Sequence, residues 1–192
     1  MTAKRIHYGE VEIPEGVNVE LLNEKTIKVS GPLGTVIKDF GGVPVKFKLE
    51  DNRIKYEIYW KGKKGYALIN TIAGRIRNVF TGVTKGFVYK MKAYYVHFPM
   101  NIRVENDYVI ISNFAGERGV RRAKILPGVN VRVIKKGTDI DLIITGIDKD
   151  LVGQTAANIY LATKVKNKDP RVFLDGIYLY YKGVGINGQE KA

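Results

Sequence analysis

The sequence predicts an α+β fold made by tandem duplication, with two domains that each consist of an antiparallel β-sheet packed by one main helix. Three observations support this prediction. Short segments alternate apolar and polar residues, one helical pattern follows each group of such segments, and the order recurs after about 85 residues. A repeat of that size is close to the lower limit for a self-sufficient core, so we expect packing of the two units against each other to add stability.

The first repeat begins with five short segments in which apolar side chains recur at every second residue. They are residues 17–21, 26–29, 36–40, 45–49 and 54–58. Glycine-containing or polar turns separate them, as in residues 30–35 and at Asp51 and Asn52. Period-two segments joined by short turns predict an antiparallel sheet with one polar face.

The spacing then changes to three and four residues, which predicts a helix over residues 67–80. Its apolar face is formed by Leu68, Ile69, Ile72, Ile76, Val79 and Phe80. Gly82 follows at the position of a C-terminal cap.

The second repeat has the same order. Strands are predicted at residues 102–104, 108–112, 129–133 and 140–143, and a helix from about 148 to 165 with Asp148 as its N-cap. Two pairs of residues fix the correspondence between the repeats. Pro14 and Pro99 lie 85 residues apart, and Thr71 and Thr155 lie 84 apart.

These correspondences predict three parts of the chain: an N-terminal α+β repeat over 1–82, a C-terminal repeat over 83–182, and a flexible glycine-rich tail over 183–192. Residues 82–99 lie at the junction and contain lysines interleaved with aromatic residues, without an acidic residue. They are interpreted as the passage from the first helix to the second domain, with Val88 and Met91 as packing residues.

The net charge of the chain indicates which classes of partner to expect. The formal net charge is +13, and both halves share it: residues 1–85 carry 15 Lys/Arg against 9 Asp/Glu, and residues 86–192 carry 17 against 10. Such a charge opposes compaction unless a polyanion neutralises it, so nucleic acid is the first candidate partner and an acidic membrane surface the second.

No enzyme site is predicted. The chain has no cysteine, and its two histidines, His7 and His97, lack neighbours at metal-ligand spacing. The acidic residues Asp139, Asp141 and Asp148 fit a solvated strand face and a helix cap. We therefore expect no catalytic, metal or cofactor site. The sequence also shows no apolar segment of signal-peptide or membrane-spanning type.

Basic clusters are the strongest functional signal. One comprises Arg118, Arg121, Arg122 and Lys124, and another comprises Lys164, Lys166, Lys168 and Arg171. Lysine and arginine neutralise phosphates, and exposed aromatic rings stack on unpaired bases. The combination predicts an RNA-binding protein.

Four segments carry a resemblance to a known family. They are residues 164–178 (KVKNKDPRVFLDGIY), residues 82–99 (GVTKGFVYKMKAYYVHFP), residues 31–34 (GPLG) and residues 113–117 (NFAGE). Together they resemble universal large-subunit ribosomal protein six, number nine in eukaryotic naming, in its archaeal and eukaryotic branch. The resemblance covers essentially the whole chain.

The resemblance implies a duplicated α+β, non-catalytic protein that binds large-subunit rRNA near the sarcin–ricin loop and the stalk base, mainly through its second domain. Its implied partners are neighbouring ribosomal proteins, including those of the stalk base, and transiently the translational GTPases, with no membrane. It implies a cytoplasmic location on the ribosome, and a nucleolar one during assembly in a eukaryote. The RNA-contacting residues predicted here are Lys164, Lys166, Lys168, Arg171, Arg121, Arg122, Lys124, Lys85, Lys90 and Lys92. The alternative is a basic protein-interaction module outside the ribosome.

Overall fold

A computed structural model describes residues 6–60, 62–96, 98–166, 168–169 and 171–186. Its elements in chain order are β1 (Ile6–Glu12), β2 (Asn18–Asn23), β3 (Thr26–Gly31), β4 (Gly34–Asp39), β5 (Val45–Glu50), β6 (Arg53–Tyr59), α1 (Lys63–Thr84), β7 (Phe87–Tyr94), β8 (Asn101–Glu105), β9 (Tyr108–Ser112), β10 (Val120–Lys124), β11 (Val129–Lys136), β12 (Asp139–Gly146), α2 (Lys149–Ala162) and β13 (Gly176–Val184). The chain divides into two compact units, with the boundary between Lys85 and Gly86. The predicted α+β class is confirmed.

The strands of the first unit form two antiparallel sheets, where the sequence predicted one. Their orders are β1-β6-β5 and β2-β3-β4, and α1 packs against both. Strand β6 shows the expected alternation, with Ile54, Tyr56 and Ile58 buried and Arg53 and Lys55 exposed. A single six-stranded sheet would be roughly 25 Å wide, whereas one helix covers only about 10–12 Å. Two smaller sheets allow one helix to close the core.

Helix α1 extends beyond the predicted residues at both ends, and Gly82 is not its cap. Gly82 is buried inside the helix, and the cap is Lys85, whose N–H donates to the carbonyl of Thr81. Gly86 follows with a φ of 74°. This left-handed conformation is the one that favours glycine after a helix. Gly86 therefore follows the helix end, and the helix continues through Gly82.

The second unit repeats this arrangement and adds one strand. Its sheets have the orders β10-β9-β8 and β11-β12-β7-β13, and α2 packs against both. Strands β7 to β12 therefore take the places of β1 to β6, and α2 takes the place of α1. The additional strand, β13, pairs antiparallel with the outer side of β7. Among the described residues of the first unit, no strand takes the equivalent place beside β1.

The basic and aromatic stretch at the boundary contains a core strand and is not only a connecting passage. Residues 87–94 form β7, which lies between β12 and β13. Its alternate residues Phe87, Tyr89, Met91 and Ala93 are buried in the core of the second unit. Val88 lies on the other face and is only half-buried. The predicted packing role therefore holds for Met91.

Helix α2 begins as predicted and ends earlier. The Asp148 side chain accepts a hydrogen bond from the N–H of Asp150 at 2.8 Å, as expected of an N-cap. The helix ends at Ala162, and the hydroxyl of the following Thr163 donates to the carbonyl of Ile159. That hydroxyl also accepts the N–H of Ile177 at 3.1 Å, which ties the end of α2 to β13.

The predicted tail begins too early. Gly183 and Val184 are the last residues of β13, paired with Val88 and Phe87. The N–H of Gly185 then donates to the carbonyl of Gly86 at 3.0 Å. Glycine is usually sparse inside strands, but a Cβ on Gly183 would lie 2.4 Å from the hydroxyl of Tyr181, so a larger residue there would displace that exposed ring. The rest of the predicted tail, residues 187–192, and His97 lie outside the described residues.

Candidate nucleic-acid interface

Four of the predicted RNA-contacting residues lie in one connection, between α2 and β13. We call residues 163–175 the basic loop. Lys164, Lys166, Lys168 and Arg171 are all exposed in it. No other connection in the described part of the second unit contains as many Lys or Arg side chains.

Contacts within the basic loop orient two of these side chains. The guanidinium of Arg171 donates to the carboxylate of Asp169, with Nη2 to Oδ2 at 2.9 Å, yet the Arg171 side chain remains 89% exposed. The ammonium group of Lys168 lies 4.6 Å from the centre of the Phe173 ring. Hydrogen bonds from the side chain and backbone of Arg171 lower the pKa of Asp169. The loop is therefore a shaped surface that presents its cations to solvent.

The basic loop is anchored by residues that the sequence did not single out. Asp175 is buried and accepts the N–H of Val96 at 2.9 Å. The backbone N–H groups of Val172 and Phe173 both donate to the carbonyl of Asp169. Thr163 at the start bonds to Ile177 on β13 and Asp175 at the end bonds to the backbone of Val96, so both ends of the loop are attached to other segments of the second unit.

Arg121 differs from the other predicted contact residues because its side chain is only 16% exposed. Its Nη1 donates to the carbonyls of Ala162 and Lys164, each at 2.9 Å. Its Nε donates to Glu117 at 2.8 Å, and its guanidinium carbon lies 4.2 Å from the centre of the Phe114 ring. Every direction of the guanidinium is thus engaged within the protein. Arg121 satisfies carbonyls at the C-terminal end of α2 and holds the first residue of the basic loop.

Glu117 connects Arg121 electrostatically to the basic loop. Its pKa is lowered, first by the hydrogen bond from Arg121 and then also by the charges of Arg121, Lys166 and Lys168. The loop lysines are therefore close enough to act on Glu117. The neighbouring residues of the same basic cluster, Arg122 and Lys124, are both exposed.

The three remaining predicted residues are not part of this loop. Lys90 and Lys92 lie on the face of β7 opposite the core, where Lys90 is 5.2 Å from the centre of the Tyr181 ring. Lys92 forms an ion pair with Asp139 at 3.2 Å, and the hydrogen bond to that carboxylate raises the pKa of Lys92. Lys85 belongs to the first unit, where it caps α1.

A group of tyrosines beside the basic loop was largely missed from the sequence. The ring of Tyr178 lies 6.0 Å from that of Tyr94 and 5.9 Å from that of Tyr160, and all three side chains are exposed. Tyr178 is not among the ten contact residues predicted from the sequence. The other two lie 84 and 18 residues from it in the sequence, so only the pairing of β13 with β7 and the packing of α2 bring the rings together.

Two kinds of feature, a metal-holding group and a membrane-spanning helix, are absent from the described part of the chain. No group of three or more histidine, cysteine or acidic side chains there is arranged to hold a metal ion. Likewise, no helix within those residues is both long enough and apolar enough to cross a membrane.

The fold and this surface define a class: a duplicated α+β protein whose second unit presents an anchored, strongly cationic loop beside exposed tyrosine rings. The comparisons with known proteins then identify the family. The family model described as ribosomal protein L6 matches residues 98–176. A protein of Aeropyrum pernix named large ribosomal subunit protein uL6 is 52% identical over 184 residues, which cover 95% of this chain and 98% of that protein.

Proteins of the same name from two other organisms agree. The one from Sulfurisphaera tokodaii is 47% identical over 94% of this chain and 96% of its own length. The one from Methanobrevibacter smithii is 45% identical over 90% of this chain and 94% of its own length. The chain belongs to the ribosomal protein L6 family, whose members are structural and non-enzymatic.

Proposed function

We propose that this protein is a structural constituent of the large ribosomal subunit that binds large-subunit rRNA through its second unit. The observation that carries the proposal is the basic loop, in which Lys164, Lys166, Lys168 and Arg171 are exposed on a connection anchored at both ends. Preorganised cations suit phosphate binding because little side-chain and loop entropy remains to be lost on association. The names of the relatives, all large ribosomal subunit protein uL6, support the ribosomal assignment.

Within this proposal the contact residues have different roles. Lys164, Lys166 and Lys168 neutralise phosphates, and Arg171 does so by donating hydrogen bonds to a phosphate as well as to Asp169. Arg122 and Lys124 extend the same surface, and Lys90, Lys92 and Lys85 make outer contacts. The exposed rings of Tyr94, Tyr160 and Tyr178 supply stacking surfaces for unpaired bases or riboses.

From the family resemblance we infer that the protein binds rRNA near the sarcin–ricin loop and the base of the stalk. A position there brings neighbouring ribosomal proteins and, transiently, translational GTPases into contact with the protein. Its place in the cell is then the ribosome in the cytoplasm, with a nucleolar stage of assembly if the source is a eukaryote.

The test is filter binding to a large-subunit rRNA fragment that contains the sarcin–ricin loop, across a salt series. Each phosphate contact contributes about −0.7 to −0.9 to the slope of log affinity against log salt. The variant carrying Lys164→Glu, Lys166→Glu and Lys168→Glu should lose most of the affinity and make the slope shallower by about two or more. The matched control carries Arg132→Glu, Lys135→Glu and Lys136→Glu on β11. This strand is one edge of the four-stranded sheet, and β13, which follows the basic loop, is the other edge.

Two results would contradict the proposal. One is equal loss of affinity in both triple variants, which would indicate a response to net charge alone. The other is absence of the native protein from the large-subunit fraction of a sucrose gradient. Sedimentation with a protein partner after nuclease treatment would instead favour the basic protein-interaction module.

A further inference from the structure

The comparison of the two units leaves one strand edge unmatched. In the second unit, β13 pairs along the outer side of β7 from Gly176 to Val184. Strand β1 holds the place of β7 in the first unit, and β6 is its only partner among the described strands. An open strand edge is a template for another strand, since its N–H and C=O groups have no ladder partner.

Hydrogen bonds at the ends of the sheet show which residues direct their backbone groups to that edge. The N–H of Ile13 donates to the carbonyl of Asn52 at 2.9 Å, and the N–H of Tyr59 donates to Pro44 on the side of β5. Because antiparallel residues bond to alternate sides, His7, Gly9 and Val11 bond to β6. The residues whose backbone groups face outward are therefore Ile6, Tyr8, Glu10 and Glu12.

The opposite edge of the same sheet is partly closed. The outward N–H of Phe47 on β5 donates to the carbonyl of Glu24 at 3.0 Å. The chain thus covers one edge of this sheet with its own backbone, while no described strand covers the other. The difference identifies β1 as the edge that remains able to receive a partner.

The charge of β1 indicates what that partner is. Strand β1 contains two glutamates, Glu10 and Glu12, and no lysine or arginine, although Lys4 and Arg5 precede it in the sequence and the whole chain has a net charge of +13. Glu10 and Glu12 share the single guanidinium of Arg53, at 3.0 and 3.9 Å. Lys55, which pairs opposite Glu10 on β6, also acts on that carboxylate. Both cations lie one strand in from the edge, so the two glutamates are the charges that an added strand meets first, and they repel RNA phosphates and attract a basic peptide.

The outer face of the sheet has room for side chains of an added strand. An open groove of about 410 Å³ runs across it. Its charged lining residues are three glutamates and three lysines: Glu10, Glu50, Glu57, Lys46, Lys48 and Lys55. Tyr8 is 73% exposed at the side of the groove formed by β1. Side chains of a fourth strand would point alternately into this groove and away from it.

We propose that β1 is a docking edge for an extended, lysine- or arginine-rich segment of another protein, which adds antiparallel to β1 in the position that β13 occupies on β7. Its backbone bonds to the outward N–H and C=O groups of Tyr8 and Glu10, and its cations reach Glu10 and Glu12. Such strand addition combines backbone affinity with side-chain specificity. If the proposed ribosomal function holds, the segment belongs to a neighbouring ribosomal protein.

The test uses the full chain and fluorescence anisotropy with a labelled nine-residue peptide in which lysine alternates with threonine. The wild type should bind this peptide and not the glutamate–threonine peptide of the same length. Glu10→Pro removes one outward N–H without breaking the pairing with β6, and should weaken binding at least tenfold. Glu10→Gln keeps that N–H and should weaken binding about two- to threefold.

Hydrogen exchange of the backbone amides shows where on the protein the peptide binds. The amides of Tyr8 and Glu10 should exchange rapidly in the free protein and become protected when the lysine–threonine peptide is bound. Equal binding of the wild type and Glu10→Pro, or protection confined to other strands, would overturn the proposal. Failure of the wild type to bind the lysine–threonine peptide would also overturn the proposal, and the glutamates would then serve only to prevent aggregation through the open edge.

The same variants separate this inference from the proposed RNA binding. Glu10→Pro should bind the large-subunit rRNA fragment as the wild type does, since Glu10 lies in the first unit and the basic loop in the second. Equal thermal unfolding of Glu10→Pro and Glu10→Gln shows that the proline leaves the fold intact. Loss of RNA affinity in Glu10→Pro with normal unfolding would place the RNA at β1 and contradict the docking edge.

Discussion

Arg121 offers the sharpest test of how the basic loop is built, because two opposite roles can be separated at this residue. Its charge and its position next to Arg122 make it a candidate phosphate contact. Its burial and its bonds to Ala162 and Lys164 make it a positioning residue that acts through the loop. The substitution Arg121→Met keeps much of the apolar volume and removes every donor.

The expected loss of stability follows from the contacts. Each hydrogen bond from the guanidinium to a carbonyl is worth about 1.5 kcal/mol at the lower end for charged groups. The contact with the Phe114 ring adds about 0.5 kcal/mol. The ion pair with Glu117 is half-exposed on the acidic side, so it adds at most about 0.5 kcal/mol. The two hydrogen bonds, the ring contact and the ion pair together predict that the free energy of unfolding of the second unit falls by about 3.5–4 kcal/mol.

Urea unfolding and the RNA salt series together give the assay, with Arg122→Met as the matched control. Arg122 is exposed on the same strand, so its loss should change stability by less than about 0.5 kcal/mol. Arg121→Met should weaken RNA binding but leave the salt slope unchanged, since no phosphate contact is lost. Arg122→Met should make the slope shallower by about 0.7–0.9.

One pattern of results would refute this reasoning. If Arg121→Met unfolds like Arg122→Met and its salt slope becomes shallower by the amount of one contact, Arg121 binds phosphate directly. The hydrogen bonds to Ala162 and Lys164 would then break when RNA binds, and the basic loop would depend on its other anchors, Thr163 and Asp175.

Three further predictions concern other parts of the chain. Gly65→Ala should lower the free energy of unfolding in urea by about 1–3 kcal/mol, because the added Cβ would lie 2.4 Å from the ring of His7. Gly74→Ala in the same helix is the control: its Cβ would meet nothing within 4 Å, so it should raise the free energy of unfolding by about 0.5–1 kcal/mol. Asp148→Ala should cost about 1 kcal/mol in thermal unfolding, whereas Asp148→Asn should cost much less, since asparagine also caps helices. The lowered pKa of Glu117 adds stability that is fully present above the unfolded pKa of about 4.5 and is lost as the pH falls through the folded pKa. In urea titrations below about pH 4.5, the wild type should therefore lose more stability than Glu117→Gln. Equal losses in the two proteins would contradict the ion pair.

The sequence predicted well those features that depend on residues close together in the chain. The alternation at residues 45–49 and 54–58 gave strands because a strand turns each successive side chain to the opposite face. The Asp148 cap was predicted because a helix leaves its first N–H groups without partners within a few residues. The exposure of the basic loop was also predictable, since such a density of charge cannot be buried.

Features that depend on distant residues were predicted less well. The end of α1 was placed at Gly82 because local sequence cannot distinguish it from Gly86, and only the buried contacts of the last helical turn carry the helix past the first glycine. The division of each set of strands into two sheets depends on β1 pairing with β6, more than forty residues away. The charge pattern also gives no sign that Arg121 and Arg122 differ.

By itself, then, the sequence determined the duplication, the α+β class, the basic character and the candidate RNA-contacting loop, because all of these are expressed in local periodicity, composition and recognisable segments. Only the tertiary structure decided that Arg121 points into the protein, that three tyrosines distant in sequence form one surface, and that β13 completes one sheet while β1 remains an edge. The physical reason is that pairing and burial are set by which surfaces meet when the chain is folded, and a residue's own neighbours in sequence contain little of that information.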